Sequence, residues 1–171
     1  MLGSEDLVNC LEDKKYDYDF HKHKPLFTVD DSKILRGIIK GGHSKNLFLK
    51  NKKNNFFLIS CEEHDQINLK KNSKALNMGN VSFAKEEYLL KYLGIKPGSV
   101  SPFALLNDKN NCVSFFLEKK LYDCDFVNFH PLTNNATITM KTSKFINFMI
   151  ENNKKIHIFS SKDEIILKTY E

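Results

Sequence analysis

Three short segments carry the side chains best suited to chemistry. His43, Ser44, Lys45 and Asn46 follow a Gly41-Gly42 pair. Gly98-Ser99-Val100-Ser101-Pro102 places small and β-branched residues between a glycine and a proline. Asn128-Phe129-His130-Pro131-Leu132-Thr133-Asn134 arranges an imidazole and two amides around a proline corner. A lysine at a tight bend offers a point charge for a phosphate or carboxylate. A loop fixed by glycine and proline can turn backbone N–H groups toward an anion or a developing oxyanion. Each feature also has a plainer reading. Lys45 could be a solvated surface lysine, Gly98 and Pro102 turn punctuation, and His130 a core histidine tied by hydrogen bonds. No residue pattern in these loops supplies a matched nucleophile and base.

Other chemistries lack their signatures. Gly41-Gly42 does not have Walker or Rossmann spacing, and there is no GxSxG elbow. His21 and His23 share a face and could hold a metal, but such a pair is more often a polar rim, and no metal or cofactor is expected. The four cysteines, Cys10, Cys61, Cys112 and Cys124, are not spaced as CxxC and read as free thiols, mostly in the core. Net charge is +5, and of 26 cationic residues only Arg36 is arginine. That excess suits a polyanionic partner, although abundant Lys, Asn, Ile and Phe is also what an AT-rich coding sequence produces. The chain of 171 residues fits one domain, spanning 1–171. It lacks an apolar run of membrane-spanning length and a signal-peptide pattern, so a cytoplasmic protein with no membrane partner is expected.

The elements that must position these loops follow from pattern. Ser4 caps a helix through Leu11; Tyr16–Phe20 alternates as a strand and ends before Pro25. Thr28 with Asp31 forms a capping-box start for a helix from Val29 to about Leu35. Asn46–Lys50 and Asn55–Ser60 make a hairpin around a solvated Asn51-Lys52-Lys53-Asn54 tip. Short helices follow at Ser73–Met78, ending at Gly79, and after a Ser82 cap, ending at Gly94. Phe103–Leu106 and Val113–Leu117 suggest a second hairpin, and Asp125–Phe129 with Ala136–Lys141 two strands around the His130 corner. A helix capped by Ser143, with Phe145, Phe148 and Met149 inward, precedes strands at Ile156–Phe159 and Glu164–Leu167. Interleaved strands and short helices indicate an α/β or α+β domain with a mixed sheet.

Taken together, the three loops resemble one family, the YbaK-like prolyl-tRNA editing domains. Gly42-His43-Ser44-Lys45-Asn46-Leu47-Phe48-Leu49 is similar to its "GxHTKNLFL" segment and Phe27-Thr28-Val29-Asp30-Asp31 to "FTVEEA". Gly98 to Pro102 matches the GxxxP loop, Phe103 to Asp108 resembles "PFGLLND", and Asn128 to Asn134 matches "NFHPLTN". The correspondence runs from about Leu26 to about Ile158 and is closest to the ProXp-ala, prolyl-tRNA-synthetase-associated branch. The resemblance implies a mixed β-sheet curved around a small pocket and flanked by short helices. It implies trans-editing deacylation of Ala-tRNA(Pro), a family chemistry thought not to need a nucleophile–base pair. The partner would be the acceptor end of tRNA(Pro) carrying a wrong amino acid, with prolyl-tRNA synthetase as a further candidate. Carried over residue by residue, Lys45, Gly98 and His130 would form the catalytic set. Ser44, Asn46, Ser99, Pro102, Phe103, Leu105 and Asn134 would bind substrate, with Phe103, Leu105 and Leu106 as pocket walls. Two alternatives stay open: removal of cysteine from tRNA(Pro), and a non-catalytic tRNA-binding or regulatory domain. Three departures stand out: Ser44 in place of Thr, Asn135 in place of Thr, and Ala104 where glycine is common. The Ala104 methyl could narrow the pocket or pack behind it.

Overall fold

A computed structural model describes residues 1–26, 28–32 and 39–171. Its spine is a mixed sheet in which β1 (Asp19–Lys22), β7 (Ala136–Lys141), β6 (Phe126–Phe129), β2 (Gly42–Asn51), β3 (Phe56–Glu62), β5 (Val113–Glu118), β8 (Ile156–Ser160) and β9 (Ile165–Tyr170) lie in that spatial order. A short β4 (Val81–Phe83) pairs with β2. The pairs β2–β6, β3–β5 and β5–β8 are parallel, and the others are antiparallel. The helices are short: α1 (Ser4–Asp13), α2 (Val29–Ser32), α3 (Leu69–Ala75), α4 (Glu86–Tyr88) running into a π-helical turn (Leu89–Leu93), α5 (Lys119–Tyr122) and α6 (Thr142–Glu151). The mixed α/β class expected from the sequence is therefore the class observed. Among the described residues no helix is long and apolar enough to cross a membrane.

Strand periodicity explains the burial. Phe56 and Leu58 of β3, with Phe115 and Leu117 of β5, point into the larger core beside Leu7, Leu11, Phe103, Phe145 and Phe148. Their neighbours Phe57, Ile59 and Phe116 point the other way, into a smaller core with Leu76 and Met78. Successive side chains of a strand face opposite sides, so a strand covered on both faces reads as an unbroken apolar run. The α6 helix buries Phe145, Phe148 and Met149 as expected, although it starts at Thr142.

The Thr28–Asp31 start is as the sequence indicates. The Thr28 N–H donates to Asp31 Oδ2 at 3.0 Å, and the Asp31 N–H donates to Thr28 Oγ1 at 3.1 Å. The continuation of α2 to Leu35 lies outside the described residues. The hairpin β2–β3, the pair β6–β7 and the strands β8 and β9 also form close to their expected positions.

Several expectations are corrected. Phe103–Leu106 is not a strand; Pro102–Asn107 forms a 3-10 helix, and β5 pairs in parallel with β3 and β8 rather than in a hairpin. The proline starts this turn, and the Ser101 hydroxyl accepts from the Phe103 N–H at 3.3 Å, so capping overrides strand propensity. Ser82 lies in β4 rather than capping a helix. The first helix has Gly3, not Ser4, before it, and the Gly3 N–H donates to Asp6 Oδ2 at 2.7 Å. The strand expected at Tyr16–Phe20 lies at Asp19–Lys22, and the helix expected at Ser73–Met78 is Leu69–Ala75, whose cap is Asn68. Of the cysteines only Cys61 is buried; Cys112 is exposed and the other two are half-buried.

Candidate functional site

The parallel strands β2 and β6 share only the register pairs Gly42–Val127 and His43–Asn128. Gly41 makes that approach possible. Its φ is +91°, and a Cβ there would lie 2.5 Å from the Phe126 carbonyl oxygen. Beyond His43 the strands separate, and the space between them is a cavity of about 280 Å³. His43, Ser44, Lys45 and Asn46 of β2 line one wall, with Asn128, Phe129 and His130 opposite. Gly98 and Val100 come from the GxxxP loop, Thr137 from β7, and Glu63 from the turn after β3. Leu26 and Thr28 complete the lining. All three loops singled out in the sequence thus meet at one cavity.

The amides and the serine hydroxyl hold this frame together. Asn46 donates from Nδ2 to the Val100 carbonyl at 3.0 Å and accepts from Ser60 Oγ at 2.5 Å, tying the GxxxP loop to β2. Ser44 Oγ donates to the Asn128 carbonyl at 2.9 Å. Asn128 donates from Nδ2 to the carbonyls of Lys40 at 2.8 Å and Gly42 at 3.1 Å, and accepts from Thr139 Oγ1 at 2.5 Å. Gly98 sits at φ +85°, a conformation costly for any other residue. Asn134 does not line the cavity; its carbonyl accepts from the Leu26 N–H at 3.0 Å and so anchors a lining residue.

Charge and proton positions can be read from the partners. Lys45 Nζ donates to the Asp65 backbone carbonyl, which draws the ammonium toward the loop after β3. His130 Nδ1 lies 2.9 Å from the Ala136 carbonyl oxygen. A carbonyl only accepts, so Nδ1 carries the proton and Nε2 keeps a lone pair. Burial pulls the His130 imidazole below its ordinary value, and the neighbouring His23 pulls the same way. His130 is therefore a neutral ring at neutral pH. Cys61 faces Lys45 across the β2–β3 ladder, but burial pushes its thiol up to about 12, which leaves it protonated and inert.

Not every expected site residue reaches the cavity. Phe103 and Leu105 lie in the core, where Phe103 packs edge-on against Phe129, Phe145 and Phe148. Leu106 is buried with them, and none of these three lines this cavity. Ala104 is fully buried in the core and does not line the cavity. Ser99 and Pro102 are buried within the loop without lining the cavity. Among the described residues, the only group of three or more histidine, cysteine and carboxylate side chains whose ligand atoms lie within 4.8 Å of one another is Glu62, Glu63 and His64. Sequence reasoning passed over Glu63 and Thr137. Glu63 sits in the turn after β3 and Thr137 in β7, both outside the three motif loops, and only the three-dimensional arrangement brings them to the cavity.

The chain is similar to known proteins in sequence and in fold. Residues 23–148 match the family described as the aminoacyl-tRNA editing domain. Over 133 residues the chain is 37% identical to the prolyl-tRNA synthetase associated domain-containing protein 1 of Xenopus laevis, covering 75% of this chain and 79% of that protein. It is 31% identical over 141 residues to the prolyl-tRNA editing protein ProX of Acetoanaerobium sticklandii, covering 82% and 86%. A solved structure described as a candidate trans-editing enzyme for prolyl tRNA synthetase superposes with a TM-score of 0.66, covering 91% of this chain and 96% of that one. At 16% identity, that likeness speaks for the fold.

Proposed function

The chain belongs to the aminoacyl-tRNA editing domain family, and from that premise we propose that it acts in trans as a deacylase that hydrolyses alanine wrongly attached to tRNA(Pro). The observation that carries this reading is the convergence of Lys45, Gly98 and His130 on one small polar cavity. The alanine branch is favoured by the wording of the segments around Lys45, Ala104 and His130. A synthetase site that holds proline rejects the smaller alanine weakly, because a missing methylene is worth only about 1–3 kcal/mol. A second, smaller cavity can remove the error and spare the correct product.

The aminoacyl ester is already activated, so the site has to orient it, admit one water and stabilise an oxyanion. Lys45 holds the terminal adenosine through its phosphate or ribose. Backbone N–H groups at Gly98 polarise the ester carbonyl, and the free ribose hydroxyl positions the water. His130, neutral and fixed through Nδ1, shapes the wall. Asn46 acts mainly by fixing the Val100 carbonyl and with it the Gly98 loop.

The test is deacylation of Ala-, Cys- and Pro-tRNA(Pro) side by side, with Lys45→Ala as control. Loss of alanine alone, slowed about 100-fold or more in the control, supports the reading; magnitudes of this order follow removal of a charge-stabilising group. Release of cysteine instead moves the protein to the other branch. Binding without release makes it a tRNA-binding module.

A further inference from the structure

At the cavity wall stands a hydroxyl, bonded to an imidazole outside the lining, that the family resemblance does not assign. Thr137 lines the cavity from β7. Its Oγ1 lies 2.9 Å from His23 Nε2, and His23 Nδ1 lies 2.8 Å from the Lys24 carbonyl oxygen. The carbonyl fixes the tautomer of the neutral ring: the proton sits on Nδ1, so Nε2 is the acceptor and the Thr137 hydroxyl the donor. A hydroxyl bonded to a base that a third group orients is the arrangement of an activated hydroxyl. The backbone holds it in place. His21 pairs with Thr137 across β1–β7, and the His23 N–H donates to the Asn135 carbonyl at 3.0 Å. His23 is half-buried, and its ring centroid lies 6.1 Å from that of His130. Thr137 Oγ1, having donated its proton to His23, retains lone pairs that can accept one from the cavity side.

We propose that Thr137 and His23 form a proton relay for the attacking water, an inference that rests on the deacylase reading above. As the water oxygen bonds to the ester carbonyl carbon, its proton passes to Thr137 Oγ1 while the Thr137 proton passes to His23 Nε2. The carbonyl–ribose C–O bond then breaks. The departing ribose oxygen takes the proton back from the imidazolium by the same route, releasing the free amino acid and the ribose hydroxyl. Thr137 touches the reacting water; His23 acts through it.

Single-turnover deacylation at saturating enzyme tests the relay with Thr137→Val, Thr137→Ser, His23→Ala and the double variant Thr137→Val/His23→Ala. General-base assistance contributes about 100-fold or more. The expected result is a fall of about that size in Thr137→Val and in His23→Ala, with Kd for the charged tRNA unchanged. The double variant should be no slower than either single one, because the pair works as a unit. Thr137→Ser should recover most of the rate. A merely structural hydrogen bond would lower the melting temperature and leave the rate alone. A Thr137→Val rate within about twofold of wild type overturns the relay, as does a Thr137→Ser variant as slow as Thr137→Val. If Thr137→Val does not fold, His23→Ala decides, since its ring is only half-buried; an unchanged rate there overturns the relay. A wild-type protein that releases no amino acid sinks the deacylase reading itself, a distinguishable failure.

Discussion

Lys45 donates to a backbone carbonyl, that of Asp65, and this sets what can replace it. Arginine keeps the charge but spreads it over a rigid planar fork that suits carboxylates rather than one carbonyl oxygen. Lys45→Arg is therefore expected to recover only a minor part of the activity lost in Lys45→Ala, as read by kcat/KM for deacylation. His130 gives a stability prediction. Its folded pKa lies below the unfolded value of about 6.5, so below that pH the unfolded chain binds the proton more readily. Its contribution is complete above pH 6.5 and is lost as the pH falls toward the folded value, at up to about 1.4 kcal/mol per pH unit. Urea midpoints measured between pH 7.5 and 5 should fall, at roughly that slope or less for this one group, and less steeply in His130→Asn. His157 is also held below its ordinary value by burial and adds to the fall in both proteins. The cluster of Ser44, Lys45, Asn46, Gly98 and His130 was legible because each lies in a motif with a tight turn or a rare side chain. Glu63 and Thr137 were not, because the position of a turn residue after β3 or of one face of β7 depends on partners distant in sequence.

Elements differ in how far local chemistry fixes them. The Thr28–Asp31 box is local and reads directly from sequence. The segment Pro102–Asn107 is apolar and short, which suits either a strand or a buried turn. The deciding signals are Ser101 and Pro102, which cap and start a helical turn. Its last residue ties distant parts together. Asn107 donates from Nδ2 to the Leu93 carbonyl at 2.9 Å and accepts from the Leu2 N–H at 2.7 Å. Asn107→Ala leaves the Leu93 carbonyl buried without that partner, so a loss of about 1–3 kcal/mol is expected. Calorimetry should show it as a lower melting temperature, with α1 fraying first in hydrogen exchange. Gly41 is less tolerant. Ala there meets the Phe126 backbone and needs a positive φ, so Gly41→Ala should destabilise by more than about 2 kcal/mol and disrupt the cavity with it.

At the scale of the molecule, the +5 net charge acquires a reason if the partner is an acceptor stem. Phosphate contacts release counterions, so affinity for uncharged tRNA should fall by about tenfold or more between 50 and 200 mM salt. A slope near zero in fluorescence titrations would remove the electrostatic footing of that partnership. The sheet order, by contrast, was not legible. Local pattern gives strands, but the parallel neighbours β2–β6, β3–β5 and β5–β8 are chosen by long connections and by which faces helices cover.

The junction between β2 and β6 also bears on the order in which the molecule forms. The β2–β3 hairpin closes between near neighbours, whereas the Ser44 hydroxyl meets the Asn128 carbonyl across 84 residues of chain. Long loops close slowly because their entropy is lost before any contact rewards it. The cavity is thus expected to form late in folding, after most strands have paired. In a stopped-flow dilution from urea, strand signal should return before deacylation does. During synthesis, a nascent chain that has not yet released β6 carries the lysine without a site around it.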